Sequence, residues 1–119
     1  MALDGAVVIV SESVPIDSLP AAALKDIYNG KTTYWPDGQS IVIAVLEDRT
    51  DAALKEVSGM TASRFKTFWH RLAFSGRGKL PKKVSDADEL VALVASTKGA
   101  IALVPPGVDL TGVKELKLE

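Results

Sequence analysis

The chain has 119 residues, of which 47% are hydrophobic and 24% are charged, with 14 Lys and Arg residues against 15 Asp and Glu. This length predicts one domain over residues 1–119, and the composition excludes a disordered or collagen-like chain. The net charge of −1 argues against a nucleic-acid partner. The absence of cysteine excludes disulfides and thiolate metal sites. No apolar run is long enough to span a membrane.

The first predicted strand covers residues 6–10, a short β-branched run that is typical of a strand buried on both faces. We expect Ser18 to cap the helix that follows, with Pro20 in its first turn. Asn29 and Gly30 favour the left-handed backbone that ends helices, so the helix should end there.

A turn signal at residues 36–38 introduces a second buried strand, predicted over residues 41–46. Residues 48–51 offer caps for a short helix that ends at Gly59. Tyr34 and Trp35 precede the turn, and we expect them to anchor it to the protein rather than to line a pocket.

The clearest amphipathic helix begins at Thr61 or Ser63. Its apolar residues recur at the helical spacings i, i+3, i+4 and i+7, and they are Phe65, Phe68, Trp69 and Leu72. We expect these four side chains to face the sheet and Arg64, Lys66 and Arg71 to face solvent.

The last third contains one more helix and two more strands. Asp86 and Glu89 resemble a capping box at the start of the helix, which Gly99 should end. A third buried strand is predicted over residues 100–104, and weak alternation over residues 116–118 indicates a final edge strand. The resulting order, β-α-β-α-α-α-β-β, predicts an α/β fold in which helices flank a mostly parallel sheet.

Ligands of open α/β sheets bind beyond the carboxyl ends of the strands. Three loops meet this condition. The first is residues 11–13, which contain Ser11 and Ser13; the second is residues 47–51; the third starts at Pro105. The second loop runs into a helix, whose free N–H groups could hold an anion while Arg49 adds a bidentate grip.

A simpler interpretation of that loop stays open. Asp48 or Asp51 would cap the helix, and Arg49 would pair with a neighbouring carboxylate. The acidic residues near this loop outnumber Arg49, so the rim alone would repel phosphate. Arg77 and Lys79, in a glycine-containing loop, could compensate, although a solvated surface loop is the alternative.

No catalytic or metal-binding constellation is predicted. His70 is the only histidine and has no cysteine to share a metal with, so we expect a partly packed, non-catalytic imidazole beside Trp69. No serine lies in a nucleophile elbow. We therefore predict a non-enzymatic protein without catalytic residues, metal ligands or a cofactor.

Four landmarks make the chain similar to a known family. They are residues 24–31 (LKDIYNGK), 34–38 (YWPDG), 74–79 (FSGRGK) and 99–104 (GAIALV). Together they resemble the phosphate-type periplasmic substrate-binding proteins of ABC transporters, which are type 2 periplasmic binding proteins with two α/β lobes. The resemblance covers one lobe, the second.

The resemblance implies a set of ligand-binding residues. Arg49 matches the arginine with which this lobe grips the anion in phosphate binders, and Thr50 and Asp51 continue the motif, whereas residues 52–55 (AALK) replace the family's Gly-Ser-Gly-Thr. We add Ser11, Ser13 and Arg77 as further candidate ligand residues.

The predicted function is a non-enzymatic, exported or periplasmic binding module for a small anion such as phosphate, with its signal peptide absent from this sequence. The alternative is a protein-interaction domain that kept the lobe fold and lost the ligand, which the changed residues 52–55 favour. A homodimer or a partner protein is expected to cover apolar surface around Tyr34, Trp35 and residues 105–106.

Overall fold

The structure is a computed structural model that describes residues 5–47 and 50–119. Asp48 and Arg49 lie outside the described residues, so the role of Arg49 stays a prediction. The strands are β1 (Val7–Ser11), β2 (Ser18–Leu19), β3 (Val42–Leu46), β4 (Lys82–Val84), β5 (Ala100–Val104) and β6 (Val113–Leu118). The helices are α1 (Ala21–Tyr28), α2 (Asp51–Ser58), α3 (Ala62–Phe74) and α4 (Ala87–Ser96).

The described strands form one six-stranded sheet in the order β2-β6-β1-β5-β3-β4. β3 pairs in parallel with both β4 and β5, and β2 pairs in parallel with β6. β1 alone runs the other way, since it is antiparallel to β5 on one side and to β6 on the other. The predicted α/β class with a mostly parallel sheet is therefore confirmed, with β1 as the reversed strand.

Helices cover both faces of this sheet, so the four inner strands, β6, β1, β5 and β3, contribute side chains to two cores. On one face α1, α2 and α3 pack over Ile101 and Leu103 of β5. On the other face α4 packs over Ala100, Ala102 and Val104 of the same strand. All five residues of β5 are buried, which is the environment that its continuous apolar run predicts.

The helix termini follow the sequence signals in part. Thr61 caps α3, because its side chain accepts a hydrogen bond of 3.2 Å from the N–H of Arg64. Gly59 ends α2 in the left-handed conformation, with φ of 77°. The capping box at Asp86 is wrong, since Asp86 precedes α4 but its side chain makes no capping hydrogen bond.

Two strands escaped the sequence analysis, and both lie at the edges of the sheet. Ser18, expected to cap α1, belongs instead to the two-residue strand β2, and Pro20 takes the N-cap position. β4 forms the opposite edge beside β3. β6 is therefore not an edge strand, because it lies between β2 and β1.

Candidate functional site

The loop between β3 and α2 lies at the carboxyl edge, by which we mean the edge of the sheet where β3 and β5 end. Thr50 occupies the N-cap position of α2 and is 5% exposed. Its hydroxyl does not cap the helix but turns back toward the carbonyl oxygen of Leu46 at 3.4 Å. The amides that precede Leu54 in α2 have no carbonyl within the helix to bond to, and among the described residues none of them has a hydrogen-bond partner outside it.

Negative charge surrounds these N–H groups. Asp51 is the first residue of α2, and both it and Glu47 are exposed. A carboxylate in the first turn interacts favourably with the helix dipole, but it repels a second anion at the same place. An anion held here would therefore depend on a neighbouring cation, and Arg49 is the only Lys or Arg between residues 47 and 54.

Tyr28 lies beneath this loop and was not predicted to have any part in the site. It is 1% exposed, and its hydroxyl has no hydrogen-bond partner among the described residues. Burial raises the pKa of the phenol above its ordinary value, so the hydroxyl stays neutral. Tyr28 and Thr50 border the same narrow cavity, which has no room for a water molecule. No local sequence signal predicts that the Tyr28 hydroxyl lacks a partner, because residues from three other segments of the chain enclose it.

The predicted serines lie at the opposite edge of the sheet, which we call the amino edge. Because β1 is antiparallel to β5, the residues after β1 meet the start of β5 and not its end. Ser13 Oγ accepts a hydrogen bond of 3.2 Å from the N–H of Gly99 and lies 3.0 Å from Ser11 Oγ. The expectation that Ser11 and Ser13 share an edge with the 47–51 loop is therefore wrong, and any ligand they contact would be a different one.

Both serines belong to a network that joins the loops of the amino edge. Gln39, which the sequence analysis did not single out, donates from Nε2 to the carbonyl oxygen of Ser13 at 2.7 Å and also to Asp37. The hydrogen bonds from the backbone and side chain of Gln39 lower the pKa of Asp37. Trp35 is 3% exposed, so its predicted anchoring role is confirmed, whereas Tyr34 is exposed.

Arg77 lies at the same end of β3 as these loops. Its loop forms one wall of an open groove of about 200 Å³ that Ile41 and Val42, at the start of β3, also line. Of the two interpretations of this loop, the one in which Arg77 and Lys79 offset the acidic rim at α2 is wrong, because β4 is parallel to β3 and the loop before it lies at the amino edge. The five predicted ligand residues that the structure describes do not form one site.

The surface expected to bind a partner is also divided. Tyr34 and Trp35 precede β3, whereas residues 105–106 follow β5 and lie at the other edge of the sheet. Trp35 is buried, so it contributes no exposed apolar surface. The single apolar face predicted from these residues is therefore wrong.

His70 is exposed rather than partly packed, because a step of one residue from Trp69 turns the side chain about 100° around α3. Within residues 5–47 and 50–119, no three His, Asp or Glu side chains come close enough together to hold a metal ion. None of the helices described is long and apolar enough to cross a bilayer.

The sequence matches no protein-family model and no curated protein. Solved structures do match its fold. A Clostridium perfringens protein with bound phosphate, assigned as a phosphate ABC transporter substrate-binding protein, superimposes with a TM-score of 0.71 at 23% identity, over 96% of this chain and 44% of that protein. An ABC-type phosphate transport receptor from Vibrio cholerae gives a TM-score of 0.64 at 20% identity, over 94% of this chain and 45% of that protein.

A third structure, PstS from Borrelia burgdorferi, gives a TM-score of 0.65 at 16% identity, over 97% of this chain and 47% of that protein. The chain spans less than half the length of each of the three. At these identities the likeness establishes the fold. The predicted resemblance is confirmed at that level: this chain has the α/β fold of one lobe of the phosphate substrate-binding proteins of ABC transporters.

Proposed function

We propose that the protein is a non-enzymatic, exported binding module that holds a small anion such as phosphate at the N-terminus of α2. The observation that supports the proposal is the start of this helix at the carboxyl end of β3, where the Thr50 hydroxyl bonds inward instead of capping the helix. The likeness to a substrate-binding protein with bound phosphate supports the same class of ligand. None of these neighbours is named as an enzyme.

Each group at this edge has a distinct part in the proposal. The first-turn N–H groups of α2 would donate to the anion, and Arg49 would supply the charge-assisted contacts. Asp51 and Glu47 would limit the affinity through repulsion. A single lobe covers only part of a ligand, whereas tight small-molecule sites enclose about 70–90% of it, so we expect binding in the millimolar range.

The test is thermal unfolding in phosphate, in sulfate and in chloride at equal ionic strength. A ligand at about ten times its Kd should stabilise the native protein by about 1.4 kcal/mol. Arg49→Ala should abolish the effect of phosphate. Lys55→Ala removes an exposed positive charge from the last turn of the same helix and should leave the effect intact. Equal losses in both variants would contradict an Arg49 site.

An interaction domain that has lost the ligand is the second candidate. The observation that favours it is the acidic first turn of α2 together with the exposed Ala52 that follows Asp51. No stabilisation of the unchanged protein by either oxyanion would favour this candidate. Fractionation of the source cells tests the proposed export independently, because an intracellular protein would contradict it.

A further inference from the structure

Positive charge is concentrated in one continuous segment. Residues 61–85 contain seven Lys and Arg residues and no Asp or Glu, whereas the other 94 residues contain seven Lys and Arg and fifteen Asp and Glu. The segment spans α3, the loop after it and β4. Its cations are all exposed, and they are Arg64, Lys66, Arg71, Arg77, Lys79, Lys82 and Lys83. In the part of the chain that the structure describes, none of them lies within 4 Å of a carboxylate.

This basic face, residues 61–85, surrounds two neighbouring apolar grooves. One is the 200 Å³ groove beside Arg77, and the other, of about 270 Å³, lies between α3 and β4. Trp69 and Leu80 line both grooves, so the two lie side by side, and together we call them the furrow. Lys66 and Lys83 line the second groove together with Glu47 and Asp51, whereas Arg77 and Lys79 line the first groove without a carboxylate. The furrow thus combines an apolar floor with a border in which cations outnumber carboxylates.

An unpaired strand edge runs beside the furrow. Among the strands that the structure describes, β4 pairs with β3 on one side and ends the sheet on the other. Such an edge presents backbone N–H and C=O groups to which an extended chain can bond. Lys82 and Lys83 would repel the same edge of a second copy, and the same two charges would attract an acidic strand.

We propose that the basic face binds an extended acidic segment of a partner protein, which adds to β4 as a further strand. Alternate side chains of an added strand point to opposite faces, so its apolar residues would enter the furrow while its carboxylates meet the surrounding cations. A concave apolar furrow beside a strand edge fits a polypeptide better than a flat membrane surface or a polyphosphate chain. The second groove reaches Asp51 at the start of α2, but the two proposals can fail separately, because this one depends on the lysines of α3 and β4 and the anion site depends on Arg49.

The probe is a capped synthetic peptide in which glutamate alternates with valine, titrated into the full chain. We expect binding that weakens as salt rises, and slower hydrogen exchange of the β4 amides in the complex. Lys82→Glu combined with Lys83→Glu should raise the Kd about tenfold or more. Lys98→Glu combined with Lys117→Glu makes the same change in net charge at exposed lysines outside the basic face, and should leave the Kd within about twofold.

Three results would overturn the proposal. They are equal losses of affinity in the two double variants, exchange protection away from β4, and tighter binding of heparin or of phosphatidylglycerol vesicles than of the peptide. Self-association that the Lys82 and Lys83 changes abolish would assign the face to a second copy instead. If that double variant fails to fold by circular dichroism, Lys66→Glu on α3 provides the same test without altering β4.

Discussion

The indole Nε1 of Trp35 donates a hydrogen bond of 2.9 Å to the carbonyl oxygen of Gly99. Gly99 has φ of 76°, and a Cβ atom on it would lie 2.1 Å from the carbonyl oxygen of Ser40. The backbone of the turn before β5 therefore approaches the start of β3 so closely that only glycine fits. Its N–H bonds to Ser13 as well, so one residue joins three loops of the amino edge.

Gly99→Ala should lower the free energy of unfolding by about 3–5 kcal/mol, since it combines left-handed backbone strain with a steric clash. Gly107→Ala is the matched control, because Gly107 has φ of 83° and no atom lies within 4 Å of its added Cβ. That variant should lose about 1 kcal/mol. Urea unfolding measures both, and equal losses would show that the close approach to Ser40 is absent.

The three phenylalanines should respond to truncation according to their burial. Phe65 is 3% exposed, Phe68 is partly buried against the edge of Trp69, and Phe74 is 96% exposed. We expect Phe65→Ala to cost about 3–5 kcal/mol, Phe68→Ala about 1–2 kcal/mol and Phe74→Ala less than about 0.5 kcal/mol. The order of the unfolding midpoints checks this, and a larger loss at Phe68 than at Phe65 would mean that α3 is rotated.

Tyr28→Phe should raise the free energy of unfolding by about 1 kcal/mol, because it removes a buried hydroxyl that has no partner among the described residues. The variant should also change the pH dependence. The raised pKa keeps Tyr28 protonated in the native state, while the unfolded phenol ionises near pH 10. Stability is therefore present below about pH 10 and is lost as the pH rises further.

Unfolding in urea between neutral pH and about pH 11 tests this prediction about Tyr28. Tyr28→Phe should lose less stability across the alkaline range than the unchanged protein. Tyr34→Phe removes an exposed phenol instead and should follow the unchanged protein. Parallel curves for all three proteins would contradict the isolation of the Tyr28 hydroxyl.

Ser13→Ala should cost about 1–3 kcal/mol, because the N–H of Gly99 loses its acceptor. It should leave any phosphate stabilisation unchanged, since Ser13 lies at the amino edge and α2 begins at the carboxyl edge. Thermal unfolding with and without phosphate gives both quantities. If phosphate stabilisation disappears in this variant, the anion binds at the amino edge and the α2 proposal fails.

Asp51→Asn should strengthen phosphate binding by about threefold to tenfold, because it removes a negative charge from the first turn of α2. Glu56→Gln removes an exposed carboxylate further along the same helix and should have a smaller effect. Isothermal titration at low ionic strength measures the affinities. No gain in Asp51→Asn would mean that the anion is not held at this N-terminus.

Local patterns identified most of the secondary structure. The continuous runs at residues 6–10, 41–46 and 100–104 lie in β1, β3 and β5 with shifts of at most one residue at either end. Gly30, after α1, and Gly59, after α2, both adopt the left-handed conformation, with φ of 74° and 77°, because glycine favours that backbone whatever its distant neighbours. The strands β2 and β4, with two and three residues, are too short to show a period of two.

The sequence by itself determined the buried runs, the helix face that carries Phe65 and Trp69, and the likeness to a single lobe, because these depend on neighbours in the chain. Only the tertiary structure decided the direction of β1, because backbone pairing with β5, some ninety residues further along the chain, sets that direction. That direction separates Ser13 from Thr50, and the parallel pairing of β4 with β3 separates Arg77 from it as well. Pairing between distant strands leaves no local periodicity in a sequence, so the division of the predicted site could not be read from it.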